Sequence, residues 1–202
     1  MKALILVDIQ NDFLPGGALA VPNGDAVVAV ANRRMPAYEL VVATQDWHPA
    51  DHQSFASQHA GRSVGEVITV DGLEQILWPD HCVQGSPGAE LAAELHAEGI
   101  DHVIRKGTDK WIDSYSGFFD NDHRKATGLY DYLKQRRVSA VDVMGLALDY
   151  CVKFTALDAV ELGFEVGLLA EGARGVERSP GDCDAAIRRM KEAGVQIVEG
   201  PS

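Results

Sequence analysis

The chain has 202 residues, of which 46% are hydrophobic and 24% charged, and its formal net charge is -12. That length suits one domain over residues 1–202 with a sizeable core, and the composition is ordinary for a soluble globular protein. The acidic balance, with no Lys/Arg-rich stripe, argues against a nucleic-acid partner, and no apolar run approaches a membrane span.

The opening "MKALILVDIQNDF" meets an aspartate after a short apolar run. It reads as a core strand and not as a signal peptide, so the expected location is cytoplasmic. Cys82, Cys151 and Cys183 are too few for a disulfide framework, which suits a reducing compartment.

In chain order, "KALILVDI" is nearly continuous apolar, as for a strand covered on both faces. Gly24 to Met35 reads as a helix and Glu39 to Asp46 as the second strand. A long excursion then runs from Trp47 to about Pro87; its first part, His48 to Val67, is polar and without a clean period, as in a loop. Gly88 to Gly99 reads as a helix bounded by glycines. "DHVIRKG" is a third strand, "TDKWIDSYSGFFDNDHR" is irregular and "KATGLYDYLKQRR" is a helix. "AVDVMG" is a strand, "DYCVKFTALDAVELG" a helix and "FEVGLLAE" a strand. "SPGDCDAAIRRMKEAG" opens with Ser-Pro and closes with Gly, as capped helices do, and "VQIV" is the last strand. This alternation predicts an α/β fold: a mainly parallel six-stranded sheet flanked by helices on both faces, in three layers. Sites in such sheets lie beyond the carboxyl ends of the strands.

Four reactive groups fall at those ends: Asp8, Asp46, Lys106 and Cys151. A charge closing a core strand costs desolvation unless it is paired or used. Cys151 sits near a helix start, whose free N–H groups and positive field favour a thiolate and could receive an oxyanion. No histidine lies on a strand end, so Asp8 is the available proton carrier for the thiol, with Lys106 holding the charges together. Next, "QDWHPADH" and "WPDHC" supply Asp46, His48 and His81. One carboxylate and two imidazoles suit a divalent ion such as zinc, iron or manganese. Phe13 and Trp78 could sandwich a flat ring. Each feature also has a plainer reading: a core cysteine, a surface lysine, a solvated His/Asp loop, core aromatics.

The stretches "LVDIQNDFLPGGALAVPNGD", "ATQDWHPADHQSFASQH", "WPDHCVQGSPGAEL", "RKGTD", "DSYSGFFDN" and "MGLALDYCVKFTALDA" recur in order over roughly residues 3 to 175. Together they resemble the nicotinamidases, or pyrazinamidases, among the isochorismatase-like cysteine hydrolases. The resemblance implies a catalytic Asp8–Lys106–Cys151 triad and a metal site of Asp46, His48 and His81, with His52 as a further ligand in some members. It also implies ring stacking by Phe13 and Trp78, a cis peptide between Leu146 and Ala147, and oxyanion donors at the N–H groups of Ala147 and Cys151. The implied substrate is nicotinamide, hydrolysed to nicotinate and ammonia through a cysteine thioester, with pyrazinamide also accepted. A sister amidase for another small carboxamide, an isochorismatase-type hydrolase and a silent binding module are the alternatives. Leu148 departs from the family pattern, which commonly has threonine there. The residues do not select between a monomer and a homo-oligomer.

Overall fold

A computed structural model of the chain describes residues 1–198. Six parallel strands form one sheet: β1 (Lys2–Val7), β2 (Val41–Asp46), β5 (His102–Lys106), β6 (Ala140–Leu146), β7 (Glu165–Arg174) and β8 (Gln196–Val198), in the order β5-β2-β1-β6-β7-β8. A separate antiparallel hairpin is made of β3 (Val67–Val70) and β4 (Leu73–Ile76). The helices are α1 (Ala26–Arg34), α2 (Leu129–Gln135), α3 (Lys153–Glu161) and α4 (Asp182–Ala193).

The apolar run of β1 is buried along almost its whole length because both faces are covered. Ala3, Ile5 and Val7 pack with Leu129 and Leu133 of α2, Ala156 and Ala159 of α3 and Met190 of α4. Leu4 and Leu6 face the other way, towards Val27, Val28, Val30 and Ala31 of α1. The period-2 alternation of the strand thus builds two cores from one segment.

Two segments differ from the sequence-based expectation. Gly88 to Gly99 is not a helix: it carries only short 3-10 turns at Pro87–Ala89 and Ala97–Gly99. Its backbone groups are engaged elsewhere. Ala92 N–H donates to Ile9 O at 2.9 Å, Glu90 O accepts from Asn11 N–H at 3.0 Å, and Ala89 O accepts from the amides of Gln10 and Gln45 at 2.9 and 2.8 Å. Asn32 on α1 bonds both Glu94 O and His96 N–H. Ala89, Ala92 and Leu95 still bury against the α1 face, so apolar content satisfied the core while tertiary hydrogen bonds overrode helix propensity. The second difference is the β3–β4 hairpin inside the excursion. Its turn is Asp71-Gly72, both at positive φ (48° and 86°), the signature of a tight two-residue hairpin loop.

Candidate active site

The strand order runs outward in opposite directions from β1 and β6, so a crevice opens between their carboxyl ends. Asp8 lies immediately past β1, while Asp46 and Lys106 close β2 and β5 and are direct register partners. Beyond β6 the peptide between Leu146 and Ala147 is cis. The chain then enters a π-helical turn, Leu148–Val152, that continues into α3 and carries Cys151. Insertions of this kind concentrate at functional sites because they re-aim side chains. Leu148 is buried among the residues packed on the α2–α4 face, where its apolar side chain fills core space.

The Lys106 amine is the hub. Its Nζ lies 2.8 Å from Asp8 Oδ2, 2.5 Å from Asp46 Oδ1, 2.8 Å from Ser114 O and 3.4 Å from Cys151 Sγ. Burial alone would lower its pKa, but Asp46 and Asp8 more than offset that and push it well above the usual range. The ammonium is therefore retained. For Asp46, burial works upward, but Lys106 and then His48 hold the carboxyl far below its ordinary value. Asp8 has a single ion-pair contact and burial dominates, raising it to about 6 despite Lys106. Its Oδ1 also accepts from Thr44 Oγ1 at 2.6 Å. At neutral pH Asp8 is thus a carboxylate poised to take and return a proton.

The expectation for the thiol changes. Cys151 is buried, and burial pushes it well above its ordinary value; Lys106 pulls it down while Asp8 and Asp46 push it up. The turn's N–H field does not reverse this. At rest Cys151 is a thiol, whose ionisation needs a neighbouring base, and Asp8 is the one in place.

Beside this cluster, one donor atom each from Asp46, His48 and His81 lies within 4.8 Å of the others, all three residues buried. His48 Nδ1 faces Gly107 O at 2.8 Å and His81 Nδ1 faces Pro79 O at 2.8 Å. Carbonyls only accept, so each Nδ1 carries the proton and each Nε2 keeps its lone pair. His48 Nε2 is a buried atom without a hydrogen-bond partner. A carboxylate held ionised and two imidazole lone pairs converging on one point are a fit for a divalent cation. His52 lies next to this group, its ring 4.4 Å from that of His48, and joins His48 and Asp113 in a second buried trio.

Phe13, Trp78, His81, Asp46, Ala147 and Cys151 line one pocket. The Phe13 ring is 5.6 Å from that of His81, and Trp78 is braced by Tyr115 (Nε1 to Oη, 3.1 Å) and edge-on to Tyr150. Val176 closes another side. The Asp149 carboxylate accepts from the N–H groups of Val176 and Glu177 at 2.9 and 2.8 Å, which ties that loop to the Cys151 turn. Asp8, Lys106 and Cys151, the trio of Asp46, His48 and His81, and the aromatics Phe13 and Trp78 are therefore brought together at one end of the sheet, with His52 beside them. Sequence reasoning missed Thr44, Asp113, Ser114, Tyr115, Tyr150 and Val176. Tyr115 and Asp113 lie in the irregular aromatic stretch after β5, and its lack of period was the one available signal.

A profile of the Isochorismatase domain matches residues 2–201. The Escherichia coli nicotinamidase is 51% identical over 200 residues, spanning 97% of this chain and 93% of the relative. The chain belongs to the nicotinamidase group of the isochorismatase-like cysteine hydrolases. Among solved structures, the yeast nicotinamidase bound to the inhibitor nicotinaldehyde superposes with a TM-score of 0.93 at 31% identity, covering 99% of this chain and 100% of that one. A pyrazinamidase of Pyrococcus horikoshii in complex with zinc gives 0.80 at 37% identity, covering 98% and 99%. The six-stranded sheet of this isochorismatase-like chain is thus the frame that its relatives share.

Proposed function

We propose that this chain hydrolyses nicotinamide to nicotinate and ammonia, and accepts pyrazinamide, through a thioester on Cys151. The observation that carries the reading is the fusion of two clusters: Lys106 touches the Cys151 sulfur and both carboxylates, and one of these, Asp46, also belongs to the cation trio. An acyl-transfer centre and a ring anchor then share one small pocket. The names of the relatives support the same substrates.

Phe13 and Trp78 hold the heteroaromatic ring. Asp8 accepts the thiol proton as Sγ attacks the carboxamide carbon. The N–H groups of Ala147 and Cys151 receive the oxyanion, and Lys106 keeps the surrounding carboxylates compensated. As the C–N bond breaks, Asp8 returns its proton to the departing nitrogen, which leaves as ammonia. Water then attacks the thioester, Asp8 takes a proton from it, and the acid is released as the Cys151 thiol re-forms. Asp46, His48 and His81 would hold a divalent ion; zinc is the first candidate, with iron and manganese as the others. Bound there, such an ion supplies a Lewis-acid contact for a ring nitrogen.

The test is ammonia release from nicotinamide by untreated, chelated and zinc-restored protein. Turnover that is lost on chelation and regained with zinc is expected. Absence of ammonia from all three preparations would refute the substrate assignment.

A further inference from the structure

His52 differs from its two neighbours in a way its sequence position does not show. Its Nδ1 receives the N–H of Ser54 at 3.2 Å and lies 2.7 Å from Ser54 Oγ. A backbone N–H can only donate, so Nδ1 must offer its lone pair. In the neutral ring the proton then sits on Nε2. This is the opposite tautomer from His48 and His81, whose Nδ1 atoms face carbonyl oxygens. A protonated Nε2 cannot ligate a cation.

The same nitrogen is buried and has no hydrogen-bond partner, on a residue only 1% exposed. An unsatisfied buried donor is costly. A complementary group is close: one atom each of His48, His52 and Asp113 falls within 4.8 Å of the others. Asp113 is buried and lines the ring pocket. Its Oδ1 accepts from Ser114 N–H at 2.7 Å, while Oδ2 has only a 3.5 Å approach from the Gln75 amide. A buried donor and a buried acceptor that make no direct hydrogen bond, on residues brought within 4.8 Å of one another, match the span of one bridging water.

The geometry points to His52 and Asp113 as a positioning pair that holds a single water beside the cation site, with His52 donating and Asp113 accepting. Such a water receives the His52 proton on one lone pair and gives one hydrogen to Asp113. Its other lone pair and hydrogen remain for the cation and for a ligand in the ring pocket. Phe55 packs against both rings, 5.6 Å from His48 and 5.5 Å from His52, and fixes their relative orientation. The assignment rests on the cation-site reading above and gives His52 a role other than that of a fourth metal ligand.

Long-range 1H–15N spectra of the zinc-loaded chain read the tautomers directly. His52 should show a protonated Nε2 and a bare Nδ1, and His48 and His81 the reverse. Zinc affinity measured by chelator competition supplies the second readout. His52→Gln, which keeps an N–H near the Nε2 position, should hold zinc within about tenfold of the unsubstituted chain, whereas His48→Gln should lose more than about 100-fold; outer-sphere partners typically cost roughly 10- to 100-fold and direct ligands more. Asp113→Asn should weaken zinc about tenfold and leave the His52 tautomer unchanged. A proton on His52 Nδ1, or a His52→Gln loss equal to that of His48→Gln, would overturn the pair and leave the cation site intact. An Asp113→Asn protein with unaltered zinc affinity would also overturn it. Failure of the unsubstituted chain to bind zinc would overturn both this assignment and the cation site.

Discussion

Replacing Lys106 by methionine isolates the electrostatic hub, because the stem is kept and the charge removed. Lys106 lies 2.8 Å from Asp8 and 2.5 Å from Asp46, with its side chain fully buried. Breaking a buried ion pair costs roughly 3–5 kcal/mol, because it strands the remaining charge. If that energy appears as proton affinity on Asp8, it amounts to roughly 2–4 pKa units at 1.36 kcal/mol each. Asp8 starts at about 6, so the variant's carboxyl would titrate at roughly 8–10 on the same conversion. At about pH 7.5 its ionised fraction would fall from about 97% to between about 24% and 0.3%, a loss of roughly 4- to 300-fold in available base. The thiol also loses the positive charge of Lys106 that pulls its pKa down, so kcat/KM should fall at or beyond the upper end of that range. The assay is kcat/KM for nicotinamide against pH on zinc-loaded Lys106→Met, with a thermal melt to confirm folding. An acid limb that stays in place, with kcat/KM reduced less than the lower bound of about fourfold, would refute the proton-carrier role of Asp8 and the hub role of Lys106 together.

Three further outcomes follow from the same geometry. Cys151→Ala should abolish ammonia release while titration calorimetry still detects nicotinamide binding, and robust turnover would remove covalent catalysis. In the unsubstituted enzyme, kcat/KM should decline as pH falls through the Asp8 value of about 6, since the carboxylate accepts the thiol proton and its protonated form cannot; a flat profile down to about pH 4, near the ordinary carboxylate pKa, would exclude Asp8. The sign for stability is separate. Because burial raises this carboxyl, its contribution to folding stability is fully present below the ordinary value of 3.8 and is lost as pH rises through about 6. Finally, Gly107 sits at φ 63° with the site of an added Cβ on the His48 ring. Gly107→Ala should displace the imidazole and weaken zinc at least as much as loss of an outer-sphere contact, roughly 10- to 100-fold, in a chelator-competition measurement; unchanged affinity would show that His48 is not a ligand.

The legible part of this molecule was local. β1 announced itself because a strand covered on both faces has no polar side to show. Asp8, Asp46 and Lys106 stood out because each stands at the end of a strand, where a buried ionisable group is expensive unless used. The family stretches then named the aromatics, the cis peptide and the cation trio in one step. The β3–β4 hairpin was not read from the sequence, although its Asp71-Gly72 turn, with both residues at positive φ, is the kind of pair that carries a composition signal. Nor was the form of Gly88 to Gly99: its apolar pattern describes burial against α1 equally well for a helix or for the irregular strap that forms, and what decided between them was a set of partners, Ile9, Gln10, Asn11 and Asn32, remote in sequence.

By itself, the order of residues determined which segments are strands of the main sheet and which chemical groups stand at their ends, because periodicity and desolvation cost act over a few neighbouring positions. The tertiary structure alone decided how those groups are charged and paired. Cys151 is held as a thiol by burial and two carboxylates, and His52 is placed in the opposite tautomer from His48 by Ser54. Proton positions depend on distances of a few ångströms between residues dozens of positions apart, and only the folded chain sets those distances.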